Sequence, residues 1–145
     1  MATVEFEFNV DTDFKQFLVF DSLADWGDLY EKWTPETIEE MFVQGDGYIA
    51  VGTMRAFHVP VVIRLGGGEP LLGRSDRTSR GVLAVPSGTL VVSGVSDNGA
   101  SGGTIEVAPG TYWISVDYLD LGSIAADEIS GDDRYVVTLN GPIEE

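Results

Sequence analysis

Cysteine is absent from the 145 residues, and histidine occurs once, as His58. Without cysteine the chain can form neither a disulfide scaffold nor a cysteine-type zinc site. No apolar run approaches the ~20 residues that a membrane-spanning helix needs. The first residues also lack the basic and apolar regions of a secretory signal peptide. We therefore expect a cytoplasmic protein with no membrane-inserted segment.

Basic residues are also scarce, because eight lysines and arginines stand against 24 aspartates and glutamates, giving a formal net charge of −16. Such a field disfavours direct binding to nucleic acid phosphates and to anionic membranes. It attracts basic proteins instead. High negative charge also keeps a protein soluble, so the total charge leaves both interpretations open.

The negative charge is unevenly distributed along the chain. Residues 1–46 carry twelve acidic and two basic residues, residues 47–116 carry four and five, and residues 117–145 carry eight and one. The ends of a domain often lie close together. In that case the two acidic segments would form one face.

Apolar residues make up 43% of the chain, which is enough for the core of a single domain spanning residues 1–145. Apolar runs bounded by turn residues predict short strands. The run at 14–20, FKQFLVF, has no polar side in its second half, so we expect cover on both faces. Pro60 predicts an edge position or a bulge for its strand. The predicted strands are 4–10, 14–20, 48–54, 58–65, 81–85, 89–93, 104–108, 111–118 and 134–139.

One short helix is predicted near residues 35–43. Its start is indicated by a capping residue, a first-turn proline and an early acidic residue, which are Thr34, Pro35 and Glu36. Ile38, Met41 and Phe42 share one face at helical spacing, so we expect that face to be buried. The predicted fold is mainly β, an antiparallel β-sandwich of about eight or nine strands with this one helix.

Patterns typical of catalysis are missing. His58 has no nucleophile motif near it, and the glycines at 66–68 lack the lysine and hydroxyl residue of a phosphate loop. Paired acids such as Asp132 and Asp133 are uninformative among 24 acidic residues. We predict no enzyme activity, no catalytic residue, no cofactor and no metal site.

A carbohydrate- or calcium-binding β-sandwich module is the alternative function. Asp97 and the pair at 132–133 offer oxygen ligands, although without EF-hand spacing. Three tryptophans offer a sugar platform, but we expect Trp113 to pack in the core. The only basic cluster, at residues 74–80, is predicted to be a loop that is either solvated or docks an acidic group.

Several short motifs follow one another in a characteristic order. They are FKQFLVF at 14–20, WTPE at 33–36, IEEMF at 38–42, GDGYI at 45–49, an arginine at 55, VPVVI at 59–63 and APGTYWISV at 108–116. In this order the chain resembles the competence protein J family, small bacterial proteins that include the inhibitor of the DNA-entry nuclease. The similarity is looser between residues 66 and 104 and after residue 119.

The resemblance implies a non-enzymatic protein that binds and inhibits a nuclease, much as immunity proteins neutralise toxin domains. It assigns no binding residue by position. Nucleases bind a polyanion and tend to present a basic cleft, which an acidic inhibitor would recognise rapidly and specifically. We therefore predict a surface for a basic nuclease or toxin in the acidic first third, where acids steer and tryptophans anchor the partner. The predicted residues are Asp21, Asp25, Trp26, Asp28, Glu31, Trp33, Glu36, Glu39 and Glu40.

Overall fold

The computed structural model describes residues 4–54, 58–66, 76–95, 102–123 and 131–143, with Asp13 described by its backbone alone. Ten β-strands in these ranges form two five-stranded sheets. Sheet 1 contains, in spatial order, Val4–Asp11 (β1), His58–Leu65 (β5), Arg134–Asn140 (β10), Gly110–Leu119 (β9) and Arg77–Val85 (β6). Sheet 2 contains Phe42–Gly45 (β3), Tyr48–Gly52 (β4), Gln16–Asp21 (β2), Thr89–Gly94 (β7) and Gly103–Glu106 (β8).

Helical segments are short. Helix α1 spans Leu29–Lys32, helix α2 spans Pro35–Glu40, and 3-10 turns span Asp13–Lys15 and Leu121–Ser123. Among the described residues, no helix has the length and apolar character needed to cross a membrane. The mainly β fold class is confirmed. Its details differ from the prediction, because the described ranges contain ten strands and a second short helix, and β5 and β10 pair in parallel.

The two sheets enclose a central core whose aromatic centre is Phe17, Tyr118 and Tyr135. Tyr135 meets the other two rings edge to face, with centroids 6.0 and 5.9 Å away. The hydroxyl of Tyr118 donates to the carbonyl of Met41 at 2.6 Å, and that of Tyr135 donates to Asp133 at 2.7 Å. Burial raises the pKa of Tyr118 to about 12. The Tyr118 hydroxyl therefore links sheet 1 to the residue that ends α2, and both buried phenol hydroxyls are hydrogen-bonded.

Strand β2 is buried on both faces, as its apolar run predicts. Phe17 and Val19 lie in the central core between the sheets. Leu18 packs on the other side, in a second core with Leu29 and Tyr48. The chain between β2 and β3 therefore covers the outer face of sheet 2.

The environment of Pro60 corrects one prediction, because β5 is an inner strand between β1 and β10. Its pairing with β1 passes through Pro60, opposite Asn9, without a bulge. Its pairing with β10 begins only at Val61, opposite Tyr135. Proline therefore occupies a part of β5 that has a single strand neighbour, where a missing N–H is tolerated.

Helix α2 begins as predicted, and its end differs. Thr34 Oγ1 accepts a hydrogen bond from Thr37 N at 3.2 Å, and Thr34 N donates to Thr37 Oγ1 at 2.7 Å, a reciprocal capping box. Met41 ends the helix in the left-handed conformation, with φ of 60°. The prediction that Ile38, Met41 and Phe42 form one buried helix face is wrong. Ile38 is 61% exposed, whereas Met41 and Phe42 enter the central core only after the helix has ended.

The two described chain ends lie at the same end of sheet 1, since Val4 and Leu139 both pair with Leu65 of β5. Among the described residues, the acids of the first segment are divided between the two sheets. Residues 25–40 extend over sheet 2, whereas Glu7 shares a groove of 910 Å³ on sheet 1 with two acids of the last segment, Asp120 and Asp132.

Candidate partner-binding site

The outer face of sheet 2 is covered by residues 22–33. Trp26 packs against Phe20, with 6.0 Å between ring centroids. Trp33 donates a hydrogen bond from Nε1 to Gln16 Oε1 at 2.8 Å. Both indoles are half-buried against the second core. Each predicted anchor therefore has a fixed orientation and still presents part of its ring to solvent.

Tyr48 and Asp28 connect this covering segment to sheet 2. The Tyr48 hydroxyl donates to Asp28 Oδ1 at 2.8 Å, and Lys32 Nζ lies 3.7 Å from Asp28 Oδ2. Burial, together with the Asp28 carboxylate, raises the pKa of Tyr48 well above its ordinary value. Asp28 is half exposed, but its carboxylate already has structural partners, so it offers a binding protein less free charge than its neighbours.

Two grooves open side by side at Trp33. The larger has a volume of 580 Å³ and extends over Trp26 and Tyr30. The smaller, of 440 Å³, extends towards Ile38. Phe14, Gln16 and Trp33 line both. We refer to the two together as the Trp33 grooves; they form one apolar depression on the outside of sheet 2.

Three large apolar side chains at the Trp33 grooves are strongly exposed: Phe14 at 82%, Tyr30 at 90% and Ile38 at 61%. Single exposed apolar residues are common, whereas a contiguous group marks an interaction site. Phe14 also has a φ of 61°, which is uncommon for a bulky side chain. Backbone strain of this kind concentrates at functional sites.

None of these three side chains was predicted as part of a site. Phe14 was assigned to a strand and Ile38 to a buried helix face, while Tyr30 lies in a segment without periodicity. The acidic turn at residues 11–13 indicates that a strand starts nearby, but no residue pattern places Phe14 before that strand rather than in it.

Exposed carboxylates lie beside this apolar surface. Glu36, Glu39 and Glu40 are on the same six-residue helix as Ile38, and Asp25 and Glu31 belong to the segment that forms the larger groove. Lys15 lines the smaller groove, and Lys32 is paired with Asp28. Eight of the nine predicted residues thus belong to the segment 25–40, which contributes Trp26, Trp33 and Ile38 to this surface.

Asp21 is the exception, because it is 2% exposed. Its Oδ1 accepts hydrogen bonds from Ser87 N at 3.0 Å and Ser87 Oγ at 2.5 Å, and its Oδ2 accepts one from Leu23 N at 3.2 Å. The carboxylate is therefore occupied in joining the end of β2 to the β6–β7 turn. Asp21 therefore stabilises the fold, and its carboxylate is not exposed at the Trp33 grooves.

The predicted basic loop at residues 74–80 is instead partly strand, since β6 begins at Arg77. Arg77 Nη1 donates to the carbonyl of Glu39 at 3.0 Å, and its guanidinium lies 5.8 Å from the centre of the Tyr118 ring. Arg80 is exposed on the outer face of sheet 1. Arg74 lies outside the described residues, as does the arginine at 55.

The alternative of a sugar or calcium module gains no support from the described residues. Trp113 is 59% exposed on sheet 1, so its predicted place in the core is wrong, and it lies on the sheet opposite the other tryptophans. Among the described residues there is no group of three or more histidine, aspartate or glutamate side chains that could hold a metal ion. Asp97 lies outside that part of the chain.

Comparison with known proteins adds evidence on the fold. No family model matches the sequence, and no curated protein matches it significantly. The structure is similar to the crystal structure of ComJ, inhibitor of the DNA degrading activity of NucA, from Bacillus subtilis, with a TM-score of 0.73 and 16% identity over 97% of this chain and 99% of that one. It is also similar to the structure described as crocagin biosynthetic gene J, with a TM-score of 0.59 and 15% identity over 99% of this chain and 100% of that one. The chain therefore has a ComJ-like fold, and membership of the competence protein J family stays a prediction.

Proposed function

We propose that this chain is a non-enzymatic binding protein that inhibits a basic bacterial nuclease or toxin. The observation that carries the proposal is the combination, on one surface, of the apolar Trp33 grooves and the exposed carboxylates beside them. The proposed contact residues are Asp25, Trp26, Asp28, Glu31, Trp33, Glu36, Glu39 and Glu40, together with Phe14, Tyr30 and Ile38.

Charge and apolar surface have separate tasks in this proposal. Carboxylates accelerate the encounter with a basic partner and orient it. Aromatic side chains in a groove supply contact area that loses little side-chain entropy, which is why tryptophan and tyrosine dominate interface hot spots. Trp33 suits this task because Gln16 already fixes its ring.

A nuclease is the partner class that this chemistry fits best. Its active cleft binds a polyanion and so carries positive charge. An acidic surface that covers the cleft competes directly with DNA. The likeness of the fold to that of a nuclease inhibitor agrees with this partner class, although at 16% identity the likeness concerns the fold alone.

The proposal assigns no catalytic role to the chain. Its single histidine, His58, lies in the groove on sheet 1, and the described residues that line this groove include no serine, threonine or cysteine to act as a nucleophile. A cytoplasmic location, where an inhibitor would neutralise its nuclease before export, stays a prediction from the sequence.

The test begins with the immobilised full chain and with lysate and secreted fractions of the source cell at low salt, eluted by a salt step. Captured basic nucleases are identified by mass spectrometry, purified, and assayed for DNA degradation with and without stoichiometric chain. Inhibition that weakens as salt screens the contact supports the proposal. A captured nuclease that degrades DNA equally well in the presence of the chain overturns it, as does the absence of any nuclease among the captured proteins.

A further inference from the structure

The outer face of sheet 1 carries a row of polar side chains that crosses five strands. In the strand register, Arg64 of β5 is opposite Glu5 of β1 and Thr138 of β10, Thr138 is opposite Ser115 of β9, and Ser115 is opposite Arg80 of β6. Residues paired in this way point to the same face, on strands about 4.8 Å apart. Two arginines therefore flank two hydroxyls in one line.

The centre of this row is buried and lacks hydrogen-bond partners. Thr138 is 0% exposed and Ser115 is 6% exposed, while the Arg64 side chain is 13% exposed. The hydroxyl oxygens of Thr138 and Ser115, and Nε and Nη1 of Arg64, make no hydrogen bond with any described residue. Glu5 Oε2 lies 3.9 Å from Arg64 Nε, and the Glu5 side chain is 60% exposed. Asp117, two residues after Ser115 on the same face, is buried and accepts a hydrogen bond from Thr78 Oγ1 at 2.7 Å. Buried polar groups without partners are rare and costly, so this row needs an occupant.

The row is also accessible from one side. A groove of 460 Å³ opens at Ser115, and its lining includes Arg80, Trp113 and Asn140. A small ligand can enter there and reach Ser115, which is the neighbour of Thr138 in the strand register. Thr138 and Arg64 continue the row beyond Ser115 on the next two strands.

We propose that this row, formed by Arg64, Thr138, Ser115 and Arg80, binds a small oxyanion such as phosphate, sulfate or a carboxylate. Guanidinium groups donate in a fork that matches two oxygens of such an anion, and hydroxyls donate to the remaining oxygens. A cation is disfavoured by the two arginines. The site lies on the sheet opposite the Trp33 grooves, so it stands independently of the proposed nuclease contact.

Thermal unfolding of the full chain tests the site, with sodium phosphate, sulfate or acetate titrated against sodium chloride at matched ionic strength. A bound anion should raise the melting temperature by about 3 °C or more over chloride at tens of millimolar, and the rise should saturate. Phosphate and sulfate also stabilise proteins by exclusion from the surface, and that contribution grows with concentration without saturating. The order of the three anions distinguishes a tetrahedral from a planar ligand.

Three variants make the test decisive. The double change Ser115→Ala and Thr138→Val removes unpaired hydroxyls, so it should keep or increase stability in chloride, and the proposal expects it to abolish the saturable shift. Arg80→Gln should weaken the response several-fold, whereas Arg134→Gln, the same charge change on another part of sheet 1, should leave it intact. Amide chemical shifts of Ser115 and Thr138 should move in the parent protein with the same midpoint. A parent shift that does not saturate, or that survives the double variant, overturns the proposal and indicates ordered water at these hydroxyls.

Discussion

The two outer faces of the sandwich differ in the side chains that surround their grooves. Over sheet 2, exposed carboxylates of α1 and α2 lie beside apolar grooves centred on Trp33. On sheet 1, Arg64 and Arg80 lie in one row with two buried hydroxyls. Between them is a core of aromatic and aliphatic side chains that is continuous from one sheet to the other.

This contrast shows that the net charge of −16 does not tell how charge is distributed over the surface of the molecule. Charges farther apart than about 8–10 Å are largely screened at physiological salt, so a partner responds to the face that it meets. We propose that a basic protein binds over sheet 2 and that a small anion binds the row on sheet 1.

Asp21→Asn should destabilise the fold by about 3 kcal/mol, although Asp21 belongs to the same acidic third as the exposed carboxylates. Its carboxylate accepts three hydrogen bonds within the fold, and an amide leaves at least one of those donors without an acceptor. Urea unfolding measures the difference. Asp25→Asn is the matched control, because Asp25 is exposed, and it should stay within about 0.5 kcal/mol. Equal effects of the two changes would contradict the distinction between structural and surface acids.

Charge reversal on α2 should slow association with a basic nuclease about tenfold or more, which corresponds to about 1.4 kcal/mol. The change is Glu39→Lys with Glu40→Lys, and surface plasmon resonance at low and high salt gives the rates. The difference should shrink as salt rises. Glu7→Lys with Asp132→Lys alters net charge equally on sheet 1 and should change the rate much less. If both double variants slow association alike, overall charge rather than this face directs binding.

Tyr48→Phe should cost about 1 kcal/mol at neutral pH, because it removes the hydrogen bond to Asp28. In the parent protein the pKa of Tyr48 is raised by burial and by Asp28, so the folded state favours the neutral phenol. That stability is fully present below about pH 10 and is lost as pH rises through the folded-state pKa. Melting temperatures from pH 9 upward should therefore fall less steeply in Tyr48→Phe. Tyr30→Phe, at a 90% exposed tyrosine, should leave the pH dependence unchanged.

Most strands could be predicted because their apolar runs are long and end at glycine, proline or aspartate. Strand β3 could not, since it has four residues and directly follows a helix. The spacing of Ile38, Met41 and Phe42 is typical of one helix face, yet the left-handed Met41 divides it between two elements. Sequence periodicity cannot detect a change of backbone conformation at a single residue.

The candidate sites were predictable to different degrees. Carboxylates and tryptophans on the sheet 2 side are concentrated in one part of the chain, so composition identifies the region. Phe14 was missed because its exposure depends on a strained turn before β2. The row on sheet 1 was beyond sequence reasoning, because Arg64, Ser115 and Thr138 meet only through the register of three strands.

Ile38→Gln should have the smallest effect on the fold, within about 0.5 kcal/mol in urea unfolding, because the side chain is 61% exposed and α2 has no buried residue. Met41→Gln is the informative comparison. Met41 is buried in the central core, so a polar replacement should cost about 2 kcal/mol or more. If Ile38→Gln instead destabilised the protein as much as Met41→Gln, α2 would pack by the face that its sequence spacing predicts, and Ile38 would be lost from the Trp33 grooves. With stability unchanged, any weakening of nuclease binding by Ile38→Gln reports on the apolar contact alone, separately from charge.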